Sequence, residues 1–454
     1  MKMPLVPPSP DRLLDMLNKG DASLFQLLFS SDIGPCDDKG RYMHWDKLRH
    51  LTPPVGFTSE LYWHAVKQAR SKISKSFPFT DKYGKPFVYG MPDTVMRDIL
   101  WISENATGAL NADARIADDK TRNTYLINSL IEEAISSSQL EGASTTRKVA
   151  KEMIRSGRSP QDLSERMIYN NHQAMMFIRE FRGEKLTPSM IFELHEILTE
   201  GTLEEGDRQK AGAFRTESDD IGVYSHDAQL LHTPPRAEEL PERLQRLCDF
   251  ANKIGEPEGS YIPPIIRAII IHFMIGYDHP FVDGNGRTAR ALFYWVMSNE
   301  DYWLMEYLSI SRVIKKSPTK YMYAYLYTET DGNDTTYFIL HQLAAIREAI
   351  EDLHTWLLKK SEELLEAESV LEGSILKGKL NHRQLGILKN ALENPGAEYT
   401  IKSHQNSHGI VYQTARTDLL KLSDDFGLLR KFKQGNKDVF IAPPNLVELV
   451  RKTG

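Results

Sequence analysis

His279-Pro280-Phe281-Val282-Asp283-Gly284-Asn285-Gly286-Arg287-Thr288-Ala289-Arg290 is the stretch on which the reading of this chain turns. An apolar run, Ile265 to Tyr277, precedes it and another, opening Ala291-Leu292-Phe293, follows. The local order is therefore buried helix, Gly-rich loop, buried helix. Glycines on both sides of Asn285 let the backbone approach a ligand closely and turn several N–H groups the same way. A helix starting just after them adds its positive end, which favours phosphate. Arg287 and Arg290, three apart, are expected to share a face and grip a polyphosphate together. Asp283 offers the hard oxygen that Mg²⁺ takes alongside substrate phosphates. His279 suits a general base, imidazole titrating ordinarily at about 6.5. A base, a metal ligand, an anion cradle and two guanidinium groups make a kit for phosphoryl or nucleotidyl transfer.

Other motifs fit less well. Gly284 to Ala289 has the letters of a dinucleotide fingerprint, but that fingerprint must directly follow a strand, and here a helical run precedes it. A calcium loop needs an acidic residue or Asn where Arg287 stands and Gly where Thr288 stands. A P-loop needs Gly-Lys-Ser/Thr, which is missing.

Working outward, helical periodicity covers Asp98 to Phe181, with Ile127, Leu130, Ile131, Ala134 and Ile135 on one buried face. A helix opens at Thr187-Pro188, a cap followed by proline at the first helical position, and stops at Gly201. Between Gly212 and His232 a short hairpin or ordered loop, with a turn at Ser225-His226-Asp227, interrupts the helices. His195 and His272 lie on apolar helix faces and read as satisfied core residues. Residues 1–95, rich in Pro, Gly and aromatics, read as an irregular region wrapped on the body. The expected division is 1–95, a helical region 96–185, a catalytic core 186–345, a helical linker 346–378 and a tail domain 379–454.

The tail pattern, three helices and two short strands (Leu428 to Phe432 and Asp438 to Ala442, joined by Gln434-Gly435-Asn436), predicts a winged helix-turn-helix. Gln413, Thr414, Arg416 and Thr417 would begin its recognition helix, with Lys431, Lys433 and Lys437 on the hairpin. From Ser374 onward the chain carries 13 Lys and Arg against 7 Asp and Glu, while the rest carries 43 against 55. A basic tail on an acidic body suits an anionic partner such as DNA and, on charge alone, equally suits a solvated surface with no partner. A winged helix serves protein contact or a homodimer as readily as DNA. No stretch reaches the ~18 apolar residues of a membrane span, and no secretory signal opens the chain. Two distant cysteines, Cys36 and Cys248, fit a reducing compartment, so a cytoplasmic protein without membrane partners is expected.

His-Pro-Phe-x-Asp-Gly-Asn-Gly-Arg-x-x-Arg resembles the signature of the Fic (filamentation-induced-by-cAMP) domain family at every defining position. The likeness runs from about Ile127 to Leu343. It implies a mainly α, Fic helical core with a short β-hairpin flap, and transfer of AMP from ATP to a Ser, Thr or Tyr hydroxyl of a target protein. On that template His279 takes the acceptor proton, and Asp283 holds Mg²⁺. Gly284, Asn285, Gly286 and Arg287 cradle the phosphates, and Arg290 holds the γ-phosphate. Relatives that phosphorylate have Lys where Gly286 stands. Ser137-Ser138-Gln139-Leu140-Glu141-Gly142 resembles the family's inhibitory motif, which implies that Glu141, with Ser137, pairs with Arg290 in the γ-phosphate position. Gly212 to Arg215, Val223 and His232 resemble the target-binding flap, and Tyr323 and Asp331 fall where relatives meet the adenosine. Removal of AMP, or a DNA-binding regulator using the Fic domain as a nucleotide sensor, stays open beside transfer.

Overall fold

An apolar run such as Ile265 to Tyr277 can only be stable surrounded by other elements, and the chain is built around it. The computed structural model describes residues 2–11, 13, 32–107, 119–225, 227–372, 376–394, 396–408, 410–434 and 437–452. These fall in two units, one drawn from residues before 111 and from 119–352, the other from 353–454.

In the first unit α1 (Ser59–Ser71) starts at Thr58, whose hydroxyl accepts from Leu61 N, and buries Leu61, Trp63 and Val66. β1 (Ser74–Thr80) and β2 (Pro86–Gly90) form an antiparallel hairpin. Its alternating aromatics face inward: Phe79 meets Phe250 with ring centres 5.0 Å apart, and Phe87 meets Tyr277 at 4.9 Å. The expectation that residues 1–95 are irregular is corrected here. Prolines and glycines drew the reading toward loop, yet Ser-Phe-Pro-Phe and Pro-Phe-Val-Tyr carry the period-two alternation of a half-buried strand.

Next come α2 (Asp119–Leu140), α3 (Leu163–Glu180), begun by the Asp162 cap, and α4 (Pro188–Thr199), begun by Thr187 and Pro188 as the sequence predicts. β3 (Val223–Tyr224) and β4 (Leu230–His232) pair antiparallel as the expected hairpin; the side turn read at 225–227 includes His226, which lies outside the described residues. α5 (Leu240–Ala251) leads to α6 (Pro264–Asp278), which is buried on nearly every side. α6 packs along its length on α7 (Asn285–Asn299). α8 (Ile310–Lys316), α9 (Pro318–Thr330) and α10 (Thr336–Glu372) follow, and α10 buries Phe338, Ile339, Leu343, Ile346 and Ile350.

The second unit has its own core around Ile387, Leu388, Ala415, Leu419, Leu422 and Phe440. It contains α11 (His382–Glu393), β5 (Glu398–Thr400), α12 (Ile401–His408), α13 (Tyr412–Leu420), β6 (Arg430–Gln434), β7 (Lys437–Ile441) and α14 (Leu446–Lys452). The sheet runs β5-β7-β6. Strands expected at 428–432 and 438–442 lie slightly displaced, because Leu428 and Leu429 turn into the core before β6 begins. The turn read at 434–436 lies partly outside the described residues. Asp418 on α13 points inward and accepts from Asn381 Nδ2, Arg383 Nε and His404 Nε2.

Candidate active site

The loop between α6 and α7 is held by its own side chains. Asn285 closes it, its Oδ1 accepting from Phe281 N at 3.0 Å and its Nδ2 donating to Phe281 O at 2.8 Å. Gly284, at φ 81°, caps α7 in the left-handed region, where a Cβ would also lie 2.9 Å from Thr199 Cγ2. His195 braces the loop from α4: Nδ1 accepts from Gly212 N and Nε2 donates to Asp283 O, both at 2.9 Å. Burial lowers the His195 pKa to about 4, consistent with a neutral ring that accepts on one side and donates on the other.

His279 sits in the left-handed region at φ 46°, an unusual setting for a residue with a Cβ. Arg215, buried, fixes that turn. Its Nε donates to His279 O at 2.7 Å, and its Nη2 donates to Pro235 O at 2.5 Å. His279 Nδ1 faces Gly276 O at 3.1 Å and must donate to it, which leaves Nε2 with the lone pair. Burial, reinforced by His232 and Arg215, lowers the His279 pKa to about 4, outweighing Gly276 O and Glu141. The imidazole is thus neutral at ordinary pH and can receive a proton.

Arg290 and Glu141 face each other across the first turn of α7. Arg290 Nη2 donates to Glu141 Oε1 at 2.7 Å and to Ser137 O at 3.1 Å, and its Nε donates to Ser137 Oγ at 2.9 Å. Burial alone would raise the Glu141 pKa, but Arg290, with Arg287 and His279, outweighs it and the net shift is downward. Gly286 is what lets the carboxylate in: a Cβ there would stand 2.2 Å from Glu141 Oε1. The remaining cavity is about 150 Å³, bordered by Val223, His232, His279, Gly286, Arg290 and Tyr321 among others. Ligand pockets commonly measure about 300–1,000 Å³, and Glu141 narrows this one beside Arg290.

Three expectations are redrawn. Arg287 does not join Arg290: its Nη1 donates to Leu198 O and its Nη2 to Asp283 Oδ2, each at 2.9 Å. Three residues apart puts two side chains on one face, but here the shorter reach to α4 decides. Tyr323 lies away from the cavity. Its hydroxyl donates to Lys2 O at 2.7 Å, while Tyr321 and Tyr325, two residues to either side and so on the opposite helix face, line the site. Asp331 is buried beside Lys67 and accepts from Tyr337, outside the cavity.

His232 and Val223 do reach the site, paired in the hairpin. His232 Nε2 lies 2.8 Å from Tyr277 O, and Nδ1 lies 2.8 Å from Glu329 Oε2. His272 is buried as expected, its Nε2 2.8 Å from Tyr321 Oη, but it is not fully satisfied, because its buried Nδ1 has no hydrogen-bond partner among the described residues. Two important residues escaped the sequence reading. Arg215 was visible only as part of the flap region. Glu133, on α2 two turns before Glu141, is buried and accepts from Tyr294 Oη at 2.9 Å, Ser309 Oγ at 2.8 Å, Ser311 N at 3.2 Å and Ser311 Oγ. A glutamate inside the Leu130-Ile131-Ala134 face was the available signal.

The side chain of Asp283 is 53% exposed, and Arg287 engages one of its oxygens. Among the described residues no group of three or more His, Cys, Asp and Glu could hold a metal. A single accessible carboxylate suits Mg²⁺ that draws its other ligands from phosphates and water.

Residues 185–297 match the family model described as Fic/DOC family. The chain carries a Fic domain. That segment includes α4, the flap hairpin, His279 and Arg290, while Glu141 and Ser137 lie before it. The Fic-domain chain is 27% identical over 185 residues to protein adenylyltransferase fic-1 of Caenorhabditis elegans, covering 40% of this chain and 33% of that one. It is 31% identical over 111 residues to protein adenylyltransferase Fic of Nematostella vectensis, covering 24% and 22%. It thus spans about a third or less of the length of these curated relatives. A Fic family protein from Desulfovibrio desulfuricans G20 superposes with TM-score 0.49 at 17% identity, over 81% of this chain and 98% of that one. Among the described residues no helix is long and apolar enough to cross a membrane.

Proposed function

We propose that this chain is a protein adenylyltransferase held back by its own Glu141. The observation that carries the reading is the shared ground of three groups. His279 presents an unprotonated Nε2, α7 begins beside the cavity with Gly286 in its lining, and Arg290 is neutralised there by Glu141. His279 would take the proton of a Ser, Thr or Tyr hydroxyl. The oxygen then bonds to the α-phosphorus of ATP, and the bond from that phosphorus to the bridging oxygen breaks to release pyrophosphate. The first turn of α7 and Arg290, once freed, would take the phosphate charge. Asp283 would hold Mg²⁺, which supplies charge neutralisation on the phosphates when bound. The flap would add a target strand alongside β3 and β4, presenting the acceptor to His279.

The test uses wild type, Glu141→Gly and His279→Ala with Mg²⁺ and ATP labelled at the α- or the γ-phosphate. The reading expects protein label from the α-position alone, strongest in Glu141→Gly and lost in His279→Ala. Label from the γ-position would mean kinase chemistry. Loss of AMP from a premodified protein, with no forward transfer, would turn the reading toward removal.

The C-terminal unit supports a second role. Its helices and three-stranded sheet fit a winged helix, and Arg430, Lys431 and Lys433 stand exposed along β6. α13 shows Gln413 and Thr417 to solvent, with Arg416 partly covered. That combination suits double-stranded DNA, with lysines on phosphates and α13 on base edges. Binding that weakens steeply with salt and is reduced by Lys431→Ala and Lys433→Ala would support it.

A further inference from the structure

The tip of the β1–β2 hairpin, Asp81 to Lys85, is anchored more firmly than a surface turn needs to be. Lys82 N donates to Tyr277 Oη at 3.2 Å, in the last turn of α6. Lys82 Nζ donates to Thr233 O at 3.0 Å, one residue beyond the flap strand β4. Just before the tip, Thr80 O accepts from Arg243 Nη2 at 2.6 Å. Asn333 Nδ2, in the turn between α9 and α10, donates to Asp81 Oδ2 at 2.8 Å. The turn is thereby tied to the flap, to the helix that ends in His279, and to the turn that follows α9.

This rigid turn presents an unusual face. Tyr83 is 83% exposed, far more than an aromatic normally is on a well-tied turn. Lys85 is exposed beside it, and the Lys82 ammonium lies 5.4 Å from the centre of the same ring. The turn's one carboxylate is withdrawn: Asp81 Oδ1 accepts from Tyr83 N at 2.9 Å and Lys85 N at 2.8 Å, while Oδ2 takes Asn333. Around the flap, Glu329 is engaged by His232 and Asp219 by Thr216 N. The hairpin tip is therefore aromatic and cationic, while the neighbouring flap exposes Asp220 and Asp227 along with Tyr224 and Leu230. Rigid tyrosines cost little entropy when they dock, and lysines at an interface rim select for an oppositely charged partner.

We propose that the β1–β2 tip is a docking platform, continuous with the flap, for an acidic segment of the protein that receives AMP, lying beside its acceptor hydroxyl. The inference rests on the transferase reading above and names the class of target. Lys82 sets the platform against the flap, Tyr83 supplies the contact area, and Lys82 with Lys85 supplies the charge preference.

The experiment uses the full chain carrying Glu141→Gly and three synthetic peptides with one central acceptor hydroxyl, flanked by Glu, by Lys or by neutral residues. At about 3.3 Å per extended residue, a peptide of roughly fifteen residues spans both flap and tip. Transfer from α-labelled ATP is measured for each, with self-labelling of the enzyme followed in the same tubes. The Glu-flanked peptide is expected to exceed the Lys-flanked one by about tenfold in kcat/KM, mostly through KM. Adding Lys85→Glu should narrow or reverse that order, which simple damage to the turn cannot do. Adding Tyr83→Ala should raise KM for the Glu-flanked peptide by several-fold. Self-labelling with no charge preference among peptides, or a preference that Lys85→Glu does not alter, overturns the platform. No label on enzyme or peptide overturns the transferase reading instead, and the platform with it.

Discussion

Glu133 offers a way to release the site without touching it. Its carboxylate is 1% exposed and collects hydrogen bonds from Tyr294, Ser309 and Ser311, which belong to α7, to the residue before α8 and to α8 itself. It therefore pins α2, and Glu141 stands in the turn directly after the last residue of that helix, Leu140. Glu133→Gln keeps the shape but removes the charge and turns one acceptor into a donor facing hydroxyls that already donate. Hydrogen bonds to a charged group contribute about 1.5–3 kcal/mol, and neutral ones about 1. Weakening several and misdirecting one should cost α2 docking roughly 1–3 kcal/mol, or about 5- to 150-fold in the fraction undocked. AMP incorporation from α-labelled ATP should rise in Glu133→Gln toward, but not beyond, the Glu141→Gly level. The double variant Glu133→Gln with Glu141→Gly should show no further gain. A Glu133→Gln protein that melts earlier than wild type yet labels no faster would refute the link between this anchor and inhibition.

His279, lowered to about 4, is neutral above that pH, so in Glu141→Gly kcat should hold down to about pH 5, whereas a limb near 6.5 would contradict the environment described. Removing Glu141 also removes a charge that raises the His279 pKa, an effect that taken alone moves the limb lower. Burial holds His44 at about 3 and His195 at about 4, so the unfolded chain takes up protons between pH 6.5 and 4 that the folded chain refuses. Stability should therefore fall as pH drops through that window, read as Tm across a pH series. Arg215→Lys cannot serve His279 O and Pro235 O with one planar fork, and kcat should fall by about 100-fold with ATP affinity less affected, measured by steady-state transfer against calorimetric binding. Asp283→Asn should raise the Mg²⁺ concentration needed for half-maximal transfer by roughly tenfold or more, checked by metal titration at fixed ATP.

The loop and its flanking helices were legible because their signals are local. Consecutive residues from His279 to Arg290 write a turn, two glycine positions and a helix start, and no distant partner is needed to read them. The α4 cap was legible for the same reason. Side-chain direction was not. Whether Arg287 turns to a phosphate or to Leu198 O depends on where α4 ends, a contact made across almost a hundred residues of chain. Tyr323 failed for a related reason: one step of register along α9 decides between the cavity and the opposite face, and α9 has tyrosines at 321, 323, 325 and 327. The N-terminal hairpin was hidden because Pro78 and Pro86 argue against strand, although both sit on a two-stranded ribbon where a missing N–H does no harm.

Position 286 carries a consequence for how such a restraint can be lost. The gap of one hydrogen atom that admits the Glu141 carboxylate lies at the same helix start offered to phosphate oxygens. Bulk placed there would evict the inhibitor and crowd the substrate in one stroke. A lineage or an engineer seeking a permanently active form has no useful route through the loop itself. Constitutive variants should instead collect on α2 and on the residues that tether it, leaving the catalytic loop unchanged in letter while its output rises.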